Sequence, residues 1–163
     1  MAKVQILWDA SGLVKRYYSE AGQATINALF VAVPPQEMNV TAWGYAETYS
    51  ILLRRHNSGA LDAGAFRDAK TELQVEAVGS PGFTVLSITD ALVFGSLSLM
   101  QAHNVNSADA AILATFLRFQ RSSPDPCLLV ASDKRLLRAA EAEGLSGLNP
   151  EEVSAGGLTQ RLN

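Results

Sequence analysis

Cysteine and histidine are scarce in this chain: Cys127, His56 and His103 are the only ones among 163 residues. A lone cysteine excludes an intramolecular disulfide and any thiolate zinc cluster. Two histidines argue against a histidine-rich metal centre or a two-histidine relay. Long apolar runs are missing too. The longest, AAILATFL at 110–117, is far too short to span a bilayer. The opening MAKVQILWDASG carries only a short apolar run before Asp9, too little for a secretory signal. There is no basic surplus either, since 13 Lys and Arg against 16 Asp and Glu give a net charge of −3. The usual electrostatic footprint of a nucleic-acid binder is therefore absent. Nucleic acid is not excluded by this, because a site that grips phosphates through metal ions needs acids that lower the net charge. Together the absences predict a cytoplasmic protein with no membrane association.

What is present describes an ordinary globular chain, with 48 % hydrophobic and 18 % charged residues and a length that predicts one domain with a proper core. Pro, Gly and Ser cluster at VPPQE (33–37), HNSG (56–59), GSPG (79–82), RSSPDP (121–126) and GLSGLNP (144–150); these mark loops between elements. Between them, apolar periodicity predicts strands at 4–8, 38–40, 83–88 and 127–131, with a last short one at 148–149. Helices are predicted through 13–18 and 23–32, after a Thr41 cap, over 61–77, and from Thr89-Asp90 to about His103. Two more follow, one capped by Ser107 and one over DKRLLRAAEAEG with Gly144 as its stop. Strands alternating with helices predict an α/β fold. The expected architecture is a three-layer α/β/α sandwich on a mainly parallel sheet of four to five strands, with ligands bound beyond the carboxyl ends of the strands.

Four acids stand out against that frame. Asp9 follows ILW directly, Asp133 follows LLVAS, and Asp109 lies in the first turn of its helix. Glu47 sits in the second turn of AWGYAETYSILLRR, with Trp43 one turn below and Ile51 one turn above on the same stripe. A carboxylate between two large apolar neighbours must be desolvated, paired or used. The plain alternatives are helix capping for the aspartates and an ion pair with Arg54 for Glu47. If the four converge, charge decides: two carboxylates about 5 Å apart repel by about 3 kcal/mol at an effective dielectric of about 20. Such a cluster must protonate or hold a cation. An all-oxygen set without Cys or His suits Mg²⁺ or Mn²⁺, ions that serve phosphodiester hydrolysis.

The segments ILWDASGLVKRYYSEAG, AWGYAETYSILLRR, NSADAAILATFL and LLVASDKRLLRAAEAEGL, in this order and at these spacings, resemble the PIN-domain family and are most similar to its VapC-type toxins. The resemblance spans residues 4 to about 150, and implies a nuclease domain over 1–150 followed by a C-terminal tail, EEVSAGGLTQRLN (151–163). It implies a metal-dependent endoribonuclease whose catalytic and metal-holding acids are Asp9, Glu47, Asp109 and Asp133, supported by Ser11 and Ser132. It also implies a product with 5′-phosphate and 3′-hydroxyl ends, a homodimer, and a small antitoxin that fills the acidic groove. Lys15, Arg16, Arg54, Arg55, Lys134 and Arg135 each follow an acidic motif. They read either as contacts to RNA phosphates or as ordinary solvated helix surface.

Two rival functions remain. A haloacid-dehalogenase-like phosphatase would need an Asp where Ser11 stands, and a further acid where Leu136 and Leu137 stand. A non-catalytic PIN-like RNA-binding or scaffold protein should have lost at least one of the four acids, and this chain keeps them all.

Overall fold

The computed structural model describes residues 3–158 and 162. Five strands form one parallel sheet in the order β3-β2-β1-β4-β5: β1 Gln5–Trp8, β2 Met38–Thr41, β3 Thr84–Leu86, β4 Cys127–Val130 and β5 Ser146–Leu148. The helices are α1 Ala10–Leu13, α2 Gln23–Ala32, α3 Ala42–Asn57, α4 Ala63–Val78, α5 Asp90–Gly95, α6 Leu97–His103, α7 Ser107–Ser122 and α8 Lys134–Ala142.

Side-chain alternation along the strands sorts the core into two layers. Ile6, Trp8, Met38, Val40, Leu128 and Val130 face α1 to α4, where Leu13, Ile26, Leu29, Leu52 and Leu73 complete one cluster. Leu7, Leu129 and Ala131 face α6, α7 and α8, where Leu99, Ile112, Leu113, Phe116 and Leu136 complete the other. Strands buried on both faces read as continuous apolar runs, as QILW and CLLV do. The sheet is fully parallel and five-stranded, the upper end of the expected range.

Chain direction across the sheet fixes where a site can form. After β1 the chain builds outward through β2 and β3, then returns to the other side of β1 for β4 and β5. The carboxyl ends of β1 and β4 therefore flank the switch point, the crevice where such sheets bind ligands. Asp9 begins there, its N–H bonded to the Val130 carbonyl at 3.1 Å. Gly12 allows that close approach, since a Cβ on it would meet Val130 O at 2.6 Å.

Several expected boundaries move. The helix expected at 13–18 starts at Ala10, straight after the strand, and tightens into a 3₁₀ turn over Val14–Arg16. The helix expected from Asp90 to His103 is two helices broken at Ser96, whose N–H is shared between the Leu92 and Val93 carbonyls while its hydroxyl bonds Val93 O. A serine that satisfies its own turn in this way competes with continuation of the helix. The cap of α7 is Asn106 rather than Ser107. Strand β3 is confined to Thr84–Leu86, the three residues that pair with β2. Gly144, at φ 83°, does stop α8.

Of the expected tail, residues 159–161 and 163 lie outside the described residues. The segment before them is tied to the body. Glu151 meets Lys15 at 2.8 Å, Thr25 Oγ1 donates to Val153 O at 2.6 Å, and Leu158 is buried in the first core cluster. No helix among the described residues is long and apolar enough to cross a membrane.

Candidate active site

Asp9, Glu47, Asp109 and Asp133 line one cleft of about 270 Å³, together with Ser11, Ser50, Arg54 and Asn106. Four segments far apart in sequence thus meet at the carboxyl edge of the sheet.

Each acid is held by its own element. Asp9 caps α1: its Oδ2 accepts the Ser11 N–H at 3.0 Å and the Ser11 hydroxyl as well. The same hydroxyl accepts the Ser132 N–H at 2.9 Å, so Ser11 ties the end of β1 to the end of β4. Asp133 caps α8 through Oδ1, which accepts from Arg135 N at 2.8 Å and Leu136 N at 3.0 Å. Asp109 sits in the first turn of α7, where Asn106 Nδ2 donates to its Oδ2 at 2.7 Å and Asn106 Oδ1 accepts its N–H at 2.8 Å. One oxygen of each aspartate is committed to the protein; the other makes no hydrogen bond to any described residue.

Glu47 is half-buried and has no hydrogen-bond partner among the described residues. The expected apolar burial around it needs correction. Trp43 is 46 % exposed, and the buried stripe of α3 is Gly44, Thr48 and Leu52. That stripe is small at one end, which lets α3 lie close to β2, and Glu47 and Ile51 of the neighbouring stripe line the cleft. Nor does Glu47 form an ion pair with Arg54, whose Nη1 donates to Ser50 Oγ at 2.9 Å.

The electrostatics match a group of acids without enough compensating charge. Burial pushes the Asp9 carboxyl above its ordinary range; the Ser11 hydrogen bonds oppose this and the Asp133 charge adds to it. Glu47 is raised by burial, then by the charges of Asp9 and Asp109, with Arg54 pulling the other way. Asp109 is raised to about 6, by burial first and then by Asp9 and Asp133, against the Asn106 hydrogen bond and Arg135. Each of these three acids feels the charge of at least one other acid of the cleft.

The donor set is entirely oxygen and mutually repelling, which suits a hard divalent cation in kind. Ser132 is not among the residues that line the cleft; its N–H is held by Ser11 Oγ, and its own hydroxyl is buried with no partner among the described residues. Yet among the described residues no three His, Cys, Asp or Glu side chains form a ready-made metal cluster. The carboxylates line the cleft without closing on one point.

The six cations fare differently. Arg54 lines the cleft. Arg135 lies near enough to lower Asp109, and its Nη1 donates to Asn104 O at 3.2 Å. Lys15 is 3 % exposed and held between Glu20 at 3.1 Å and Glu151 at 2.8 Å. Arg16 pairs with Glu76 at 2.8 Å and stacks on Phe30, while Arg55 pairs with Glu20 at 2.7 Å and stacks on Tyr18. Lys134 pairs with Glu152 at 2.8 Å. The cleft therefore draws on Arg54 and Arg135, and the other four are engaged within the fold. Asn106 and Ser50 are cleft residues that the sequence reading missed. The pattern N-S-A-D, a cap residue three before an acid, was the available signal for Asn106.

No family model matches the chain, and no curated protein matches it. Solved structures do. The VapC20 toxin of Mycobacterium tuberculosis, which cleaves the sarcin–ricin loop, superposes with a TM-score of 0.62 at 19 % identity, over 90 % of this chain and 100 % of that one. FitAcB of Neisseria gonorrhoeae gives 0.61 at 18 %, over 91 % and 100 %. A toxin–antitoxin complex from Klebsiella pneumoniae gives 0.60 at 15 %, over 91 % and 100 %. At these identities the likeness speaks for the fold alone, and the fold is the PIN-like α/β/α sandwich of the VapC-type proteins that the chain's motifs resemble.

Proposed function

We propose that the chain is a Mg²⁺- or Mn²⁺-dependent endoribonuclease, the toxin of a toxin–antitoxin pair. The observation that carries this reading is the meeting of Asp9, Glu47, Asp109 and Asp133 in one cleft at the switch point of a parallel sheet. A divalent cation held there would supply Lewis acidity to the phosphoryl oxygens and a more acidic bound water. The four carboxylates would hold it, chiefly through the aspartate oxygens not used as caps and through Glu47. Ser11 fixes the Asp9 carboxylate and locks it to the end of β4. Arg54 and Arg135, at the cleft, would meet the phosphates of the RNA strand. Among the rival readings, a phosphatase lacks its second acid at Ser11, and a scaffold has no need of four acids gathered in one cleft.

Incubation with labelled RNA and with a small phosphoester, each with Mn²⁺ and with EDTA, separates the three readings. Cleavage of RNA that EDTA abolishes is the expected result. Phosphate release from the small ester alone would favour the phosphatase, and inactivity on both would favour the scaffold.

The toxin role adds a homodimer and an antitoxin. It draws support from the fold shared with VapC20 and with structures solved as a toxin–antitoxin complex and as FitAB bound to a DNA fragment. A chain that is monomeric by light scattering, and harmless when expressed alone, would count against the toxin role and leave the nuclease untouched.

A further inference from the structure

A cavity of about 410 Å³ lies beside the cleft, between α8 and the end of β5, and contains none of the four acids. Consecutive residues at the start of α8 serve the two spaces: Asp133 lines the cleft and Lys134 lines the cavity. Asn149, just past β5, forms part of the cavity wall and is only 6 % exposed. Its Oδ1 accepts the Glu151 N–H at 3.0 Å, which fixes which way round the amide stands. Its buried Nδ2 then has no partner among the described residues. A buried N–H left without an acceptor is costly, and the side chain that carries it belongs to the wall of an open space of ligand size.

The rest of the lining says what kind of oxygen belongs there. Arg138, on the α8 wall, makes no salt bridge among the described residues. Lys134 and Glu152 neutralise each other at 2.8 Å, and Glu141 adds a carboxylate acceptor. Two cations thus face two carboxylates, a balance that gives a bare anion little net attraction. It fits a group carrying both an anionic oxygen and hydroxyl donors, and a ribonucleotide unit carries both.

Building on the nuclease reading, we infer that this cavity is a subsite for one ribonucleotide of the RNA strand leaving the acidic cleft over the first turn of α8. Asn149 Nδ2 and Arg138 take its phosphate, and Glu141 accepts from a ribose hydroxyl.

Fluorescence anisotropy in EDTA, with labelled single-stranded RNAs lengthened one nucleotide at a time from either end, reads the subsite without cleavage. The wild type should gain affinity in one step of about tenfold at a particular added nucleotide, the scale of a hydrogen bond to a charged group. Arg138→Gln, at an exposed position, should remove the step and leave the shorter RNAs bound as before. Asn149→Asp, which keeps the acceptor for Glu151 N–H, should do the same. A wild type without a step, or a step that survives Arg138→Gln, overturns the subsite. In a second arm, the Asn149 side-chain amide resonances should move with cytidine 5′-monophosphate. An equal response to inorganic phosphate at the same concentration would make this a small-anion site and overturn the ribonucleotide assignment. The nuclease reading fails separately: a protein that shows the step and never cleaves keeps the subsite and loses the reaction.

Discussion

At Asp9 the two carboxylate oxygens divide between fold and chemistry. Oδ2 is used by Ser11 to start α1, and the second oxygen is left to the cleft. Asp133 divides in the same way at α8. Capping and site roles, which the sequence poses as alternatives, are therefore compatible at one residue. Asparagine keeps a side-chain oxygen for capping and loses the charge, so Asp9→Asn should stay folded. Asp9→Asn or Asp109→Asn should lower RNA cleavage at least ~10²-fold, the scale of losing an electrostatic catalytic group; full activity in both variants would remove these residues from the reaction. Glu47 is the sharper case, because nothing in the fold needs its charge. Glu47→Gln should abolish cleavage and raise the metal-free melting temperature by relieving repulsion from Asp9 and Asp109. A loss of ~3 kcal/mol or more would instead mean a broken buried ion pair. The motif positions of all four acids were legible in the sequence. The surroundings of Glu47 were not, since a helical wheel cannot tell which of two adjacent stripes packs inward. The small residues Gly44 and Thr48 took that place.

Element ends were legible where one residue decides them and illegible where two compete. Thr41 and Thr89 cap their helices and Gly144 ends α8, while Asp62, placed inside the helix expected over 61–77, is the cap of α4. Asn106 and Ser107 are both good caps, and only the folded chain shows Asn106 holding the Asp109 N–H. Loss of that cap by Asn106→Ala should cost ~1 kcal/mol in denaturant unfolding. It should also move the Asp109 titration further above about 6, because the Asn106 hydrogen bond is one of the two influences holding it down. An unchanged Asp109 titration, followed by NMR, would contradict that coupling. Lys15 and Arg16 show the opposite limit. Their spacing from Asp9 suggests a basic patch, but Glu20 lies only five residues beyond Lys15, and their other partners, Glu76 and Glu151, come from distant segments that no local pattern reveals.

Across the whole molecule, a parallel sheet that switches direction beside β1 gathers acids from both halves of the chain. Alternating strands and helices made that architecture readable in advance; strand order and the break at Ser96 depended on packing. The gathered charge has a cost that should appear as pH-dependent stability. Asp109, at about 6 in the folded protein against an ordinary value of 3.8, binds its proton more tightly when folded. Asp9 and Glu47 shift the same way. Their contribution is fully present below the unfolded values and is lost as pH rises through the folded ones. Metal-free protein should therefore lose stability from about pH 4 to about pH 6 through these groups, and a cation should offset the loss. A cleft built for a divalent cation should reveal itself in thermal melting against Mn²⁺ concentration at neutral pH. At about 100 times its dissociation constant, Mn²⁺ should stabilise the wild type by ~2.7 kcal/mol. Asp9→Asn and Glu47→Gln should gain distinctly less. Equal stabilisation of all three proteins, or none of the wild type, would mean that these acids do not hold the ion.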